Sequence, residues 1–160
     1  MKKMFKLEDF RSKNSVILDT CFILHELLNN REKRLIDFCS ENLVLVTSFN
    51  VEELKKVSRK LGHNKRVVRD FLNRADLVFV DVPVHLGDVE GERAFVDALS
   101  SDILKKVRDP SDAVLVAAAI LSNSVILTRD KHHLFTSTLS NELRKYNLSV
   151  FNDLSKVVFV

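Results

Sequence analysis

Four carboxylates stand where short apolar runs give way to polar chain. Asp19 follows Val16, Ile17 and Leu18, and Glu53, with Glu52 beside it, lies just past Leu43–Val46. Asp112 falls in the first turn of an apolar segment, and Asp130 closes the run from Ser124 to Thr128. If the runs are parallel strands, these acids meet at one sheet edge, because such sheets place ligands outside the carboxyl ends of their strands. Gathered carboxylates repel and raise one another's pKa unless a divalent cation neutralises them. An all-oxygen set points to Mg²⁺ or Mn²⁺. Such ions generate hydroxide and stabilise a phosphoryl group during in-line displacement, so the chemistry indicated is phosphodiester hydrolysis.

Each acid also has an ordinary role. Glu52 and Glu53 suit the first turn of any helix, where the dipole favours negative charge. Asp112 can close a capping box behind Asp109 and Pro110, and Asp130 can serve a turn. His132 and His133 form a doublet in the next loop, a setting in which exposed histidines are commoner than ligands.

The elements that must position these acids follow from hydrophobic patterning. Apolar runs with β-branched residues at 16–18, 43–46, 77–80 and 124–128 read as strands buried on both faces. Helical spacing predicts helices over 21–30, 31–41, 50–61, a second basic helix after Gly62, 92–107 and a last one over 139–146. Asp109 as N-cap and Pro110 at the first position begin another helix. Its small residues, Ala113 and Ala117–Ala119, require close packing. Thr47 or Ser48 can cap the helix after the second strand. Residues 82–91, with Pro83, Gly87 and Gly91, read as a loop or short helix. The tail, 148–151 and 157–160, supplies a last strand and an edge. This alternation predicts a three-layer α/β/α sandwich around a central, mainly parallel sheet. Residues 1–14 read as a polar, basic lead-in with a helical turn near Leu7–Arg11, and 15–160 as one domain.

At 160 residues and 46% hydrophobic, the chain can fill one core. Its longest apolar run, Val114–Leu121, is too short to span a bilayer, and MKKMFKLEDFRSKN lacks the apolar core of a signal peptide. The expectation is a soluble, cytoplasmic protein without a membrane partner, its two cysteines reduced. Charge is uneven: residues 1–80 hold 16 Lys and Arg against 11 Asp and Glu, residues 81–160 hold 9 against 11. The basic stretch from Lys55 to Arg74 is the best nucleic-acid surface in the chain, with Lys55, Lys56, Arg59 and Lys60 nearest the second acid and Arg129 beside the last. Solvated helix faces account for such residues equally well.

VILDT, the glutamate of TSFNVEEL, DAVLVAAAI and VILTRD, in that order and at those intervals, resemble the four acidic motifs of PIN-domain nucleases over roughly Ser15 to Phe151. The resemblance implies a compact α/β/α fold, Mg²⁺- or Mn²⁺-dependent ribonuclease activity on RNA, and frequent homodimers. Asp19, Glu53, Asp112 and Asp130 match the metal-binding acids, and Thr128 and Thr20 match supporting hydroxyls. Glu53 is preferred to Glu52 because it precedes Leu54. Two departures stand out: Cys21 occupies a position where the family often has Asn, and 131–134 separate Asp130 from Phe135 more widely than usual. A toxin held silent by an antitoxin and a housekeeping RNA-processing enzyme both fit the family. An inactive PIN-like module that binds RNA or protein is the alternative from another class.

Overall fold

The apolar runs form strands because each is covered on both sides. In the computed structural model, which describes residues 3–60, 62, 64–131 and 134–159, Val16, Ile17, Leu18, Leu45, Val46, Ile126 and Leu127 expose no surface at all. Six strands result: β1 (Met4–Lys6), β2 (Ser15–Leu18), β3 (Leu43–Thr47), β4 (Val78–Asp81), β5 (Ser124–Leu127) and β6 (Val150–Phe151). They form one sheet in the order β1-β4-β3-β2-β5-β6, and all five pairings are parallel.

The helices are α1 (Thr20–Leu28), α2 (Glu32–Glu41), α3 (Ser48–Lys60), α4 (Asn64–Arg74), α5 (Val89–Leu99), α6 (Ser101–Lys106), α7 (Pro110–Ser122) and α8 (Ser137–Arg144). Helices α1 to α4 pack on one another, as do α5 to α7, with the sheet between the two groups. This is the three-layer sandwich expected from the alternation of elements. Among the described residues no helix is long and apolar enough to cross a membrane.

Where the chain leaves β2 for β3 it turns to one side of the sheet, and β5 later returns to the other side of β2. The crevice between β2 and β5 is therefore the point where strand order reverses, the usual place for a ligand in an open α/β sheet. Its register pairs Ser15 with Ser124 and Leu18 with Leu127. At the amino ends of these strands the buried hydroxyls of Ser15 and Ser124 lie 2.7 Å apart, Ser122 lies 2.9 Å from Ser124, and Ser122 donates to the Ala118 carbonyl at 2.7 Å.

Helix α7 is buried on every side: Ala113, Val114, Val116, Ala117, Ala118 and Ala119 are fully enclosed. Small side chains let it pack closely against α5 and β5, and this fixes its first turn. At that turn Asp109 caps the helix by accepting from the Ser111 amide at 2.9 Å. At its other end Asn123 takes φ +56° and accepts the left-handed turn.

Three regions depart from the sequence reading. The lead-in contributes β1, which pairs with β4 at the sheet edge, and a 3₁₀ turn at Leu7–Asp9. Only Phe5 of its three strand residues turns inward, so the pattern is too short to read. The expected helix over 92–107 is two helices, broken where Ser100 extends (φ −164°) and its hydroxyl accepts from the Asp102 amide. The tail adds only Val150–Phe151 to the sheet. Asp153 then caps a 3₁₀ turn at Leu154–Lys156 and is held by Arg34 at 2.6 Å, and 157–159 form no strand, although Val157 and Phe159 still pack against the core. His132, His133 and Val160 lie outside the described residues.

Because Ala117 is fully enclosed in a helix buried on every side, Ala117→Leu should lower stability by about 1–3 kcal/mol through overpacking. Chemical denaturation, read as a shift of the midpoint at unchanged slope, measures this. A neutral result would show that the contact has slack.

Candidate acidic active site

Asp19 is the first residue beyond β2. Its amide still donates to the Leu127 carbonyl at 3.0 Å, so the residue stays in sheet register although α1 begins directly after it. The side chain does not cap α1. Instead Oδ2 accepts from the Thr128 hydroxyl at 2.7 Å and from the Cys21 thiol at 2.8 Å. Thr128 Oγ1 in turn accepts from the Asp130 amide at 3.0 Å, and the Cys21 sulfur from the Arg129 amide at 3.3 Å. The ends of β2 and β5 are thus tied through Asp19.

Glu53 arrives by a second set of bonds. Thr47, the last residue of β3, accepts from the Asn50 amide and so caps α3, while its hydroxyl donates to Asn50 Oδ1 at 2.6 Å. Asn50 Nδ2 donates to the Thr20 hydroxyl at 3.0 Å, which donates to Glu53 Oε2 at 2.6 Å. Each hydroxyl donates once and accepts once, so the relay is fully satisfied. Glu52 is engaged elsewhere: it meets His85 Nδ1 at 3.0 Å and accepts from the Leu86 amide. Of the two glutamates, Glu53 faces the acidic cleft.

Asp19, Glu53, Asp112 and Asp130 all line one cleft of about 370 Å³, together with Thr20, Cys21 and Arg129. Asp112 does not close a capping box; its carboxyl is hydrogen-bonded to that of Asp130. Arg129 Nη2 lies 3.9 Å from a carboxylate oxygen of the fully buried Glu26. The α3 cations are arranged differently. Lys55 and Arg59 border a separate groove, and Lys56 and Lys60 are exposed on the same helix. Asn50 is the site residue that sequence reasoning did not place there, and Cys21, known from the sequence only as a departure from the family pattern, proves to donate to Asp19. Thr47-x-x-Asn50 carries a cap signature, but only the fold shows that Asn50 continues to Thr20.

The electrostatics follow from crowding in a partly desolvated cleft. Burial raises the pKa of Asp19 above the ordinary carboxylate range, against the opposing bonds from Cys21 and Thr128. Burial likewise raises Glu53. Asp112 is pushed up to about 8, first by burial and then by the charges of Asp19, Asp109 and Asp130. The Cys21 thiol is pushed up to about 12 by burial and by Asp19, so it donates as a neutral group. Among the described residues no three acid, His or Cys side chains are gathered tightly enough to close on one ion. The donor chemistry nonetheless fits a hard divalent cation: four carboxyl groups lining one cleft are those whose repulsion it would relieve.

An all-parallel α/β/α sandwich with acids converging at the β2–β5 switch point defines the class of sheet-edge carboxylate-cleft proteins. The PIN-domain model matches residues 15–132, and the chain belongs to the PIN-domain family of nucleases. Its structure is similar to VapBC2 from Rickettsia felis, solved bound to a promoter DNA fragment, with TM-score 0.54, 13% identity, and 86% of this chain and 99% of that one covered. It is also similar to FitAcB from Neisseria gonorrhoeae, with TM-score 0.52, 19% identity, and coverage of 89% and 99%. No curated protein matches the chain.

The Asp112 carboxyl, at about 8 when folded and 3.8 ordinarily, binds its proton more tightly in the native state. Its contribution to stability is therefore complete below about pH 4 and is lost as pH rises through about 8. In EDTA, Asp112→Asn should flatten the decline in melting temperature between about pH 4 and pH 8, a difference on the order of a few kcal/mol after allowance for solvent screening. Parallel curves for the two proteins would show that Asp112 is not the strained group.

Proposed function

We propose that this chain is a Mg²⁺- or Mn²⁺-dependent endoribonuclease whose acids are Asp19, Glu53, Asp112 and Asp130. The observation that carries the reading is the convergence of four carboxylates from β2, α3, α7 and the end of β5 on one cleft, with Asp112 pushed up to about 8 by burial and then by the charges of its neighbours. A divalent cation bound there would neutralise the acids, activate water and stabilise charge on the scissile phosphate.

The chain's own residues set the geometry for that step. Thr128 and Cys21 aim Asp19, and Thr20 aims Glu53 from the other side. Asp112 and Asp130 complete the acidic wall. Arg129 lines the same cleft, with Nη2 3.9 Å from the buried Glu26, and is the cation that would meet a phosphate next to the one being cleaved. Lys55, Lys56, Arg59 and Lys60 carry positive charge on α3, outside this wall, where it attracts the RNA backbone without reading bases.

The reading extends to biology. Membership of the family, together with likeness in fold to VapBC2 and FitAcB, supports a toxin-like ribonuclease that acts in the cytoplasm as a homodimer and is restrained by an antitoxin protein. A neighbouring gene for a small DNA-binding protein would accompany that role.

Cleavage of a labelled single-stranded RNA should require Mg²⁺ or Mn²⁺, stop in EDTA, and fall by about a hundredfold or more in Asp19→Asn and Asp112→Asn. Glu52→Gln, by contrast, should retain cleavage, because Glu52 serves the His85–Leu86 turn. A metal-independent parent, or acid variants that cut as well as it does, would remove catalysis from this cleft. RNA binding without cleavage would make the chain a binding module.

A further inference from the structure

Helix α3 presents different chemistry on two faces. Glu53 and Val57, one turn apart, line the acidic cleft. The opposite face borders a second groove of about 450 Å³ between α3 and α4. Its floor is apolar: Val51 from α3, Val68 and Leu72 from α4, and Phe79 from β4. Its rim is cationic, with exposed Lys55 and Arg59 on one side and Lys65 and Arg69 on the other. No carboxylate borders the groove among the described residues.

The rim cations differ from their neighbours. Arg66 pairs with Asp70 and Arg74 with Glu32, both outside the groove. Lys55, Arg59, Lys65 and Arg69 take part in no ion pair among the described residues. Positive charge around a half-covered apolar floor raises the local potential and leaves apolar surface in water, and both costs are removed by one kind of occupant.

We infer that the α3–α4 groove docks an acidic amphipathic helix of a partner protein, its apolar side chains on the Val51–Val68–Leu72–Phe79 floor and its carboxylates on the four rim cations. A trough between two packed helices accepts a third helix by ridge-and-groove packing, with apolar anchors one turn apart. RNA satisfies the rim alone. Its bases stack on exposed aromatic planes, whereas this floor is aliphatic apart from one half-buried phenylalanine. Because α3 carries Glu53 on its other face, an occupant here sits one helix diameter from the acidic cleft without entering it. The inference stands on the groove alone, whether or not the cleft cuts RNA.

The test is fluorescence anisotropy on the full chain with a labelled, helix-forming peptide that carries Leu on one face and Glu on the other. A second peptide of equal charge has Ser in place of Leu, and a short oligouridylate is the competitor. Saturable binding of the Leu peptide is expected, weakened about tenfold or more by the Ser replacement and by Lys65→Glu/Arg69→Glu, and not displaced by oligouridylate. Both substituted residues are exposed, and a melting curve confirms that the double variant is folded. Equal binding of the two peptides, or full binding by the variant, overturns the inference. Displacement by oligouridylate, with RNA affinity lost in the variant, makes the groove a nucleic-acid track instead. Sedimentation that shows a parent dimer and a variant monomer makes it a self-interface, which equally overturns the inference.

Discussion

Mutual repulsion among four carboxylates is the constraint around which this molecule is arranged. Separated on a surface, such groups are hydrated and cost nothing. Collected in a half-buried cleft, Asp19, Glu53 and Asp112 are driven toward neutrality, by burial first and by neighbouring charge second, and Asp112 at about 8 shows how far. A fold that brings them together must hold each one by bonds that do not themselves add charge. Thr128, Cys21, Thr20 and Asn50 do this with hydroxyl, thiol and amide donors, leaving net negative charge for a cation or a polyanion held through one.

Such holding requires a stiff frame. Parallel strands buried on both faces supply the frame for Asp19 and Asp130, and α7, enclosed on every side, supplies it for Asp112. The arrangement divides labour between the strands and helices. Strand ends deliver acids in register, and helix starts deliver acids with their backbone amides already committed to caps at Thr47 and Asp109. Arg129 is the single cation at the cleft, turned toward a carboxylate, Glu26, that has no other partner within hydrogen-bonding distance among the described residues.

Much of this was legible before any coordinates. The layers follow from four continuous apolar runs separated by helical spacing, and the acids follow from their places at the ends of those runs. Structure was needed for contacts between distant segments. Leu54 favours Glu53 over Glu52 only through the family resemblance; the physical reason is remote in the chain, where the turn at His85–Leu86 claims the first and leaves the second to Thr20. The basic stretch needed the structure for a different reason. Charge counted along α3 and α4 gives no direction, and two of the α3 cations border the apolar groove. The edge strand Met4–Lys6 escaped because a three-residue strand with one inward side chain has no period to detect.

The serine hydroxyls at the far ends of β2 and β5 carry a further consequence. Ser15, Ser124 and Ser122 bond to one another inside the core and tie both strands to α7. Three of the four acids therefore depend on a single cooperative unit, anchored at its opposite end from the cleft. Fraying at the cleft mouth cannot propagate down these strands without opening that dry polar knot. Amides of β2, β5 and α7 should accordingly exchange with solvent water only when the whole domain opens, so the acidic wall persists for as long as the fold does.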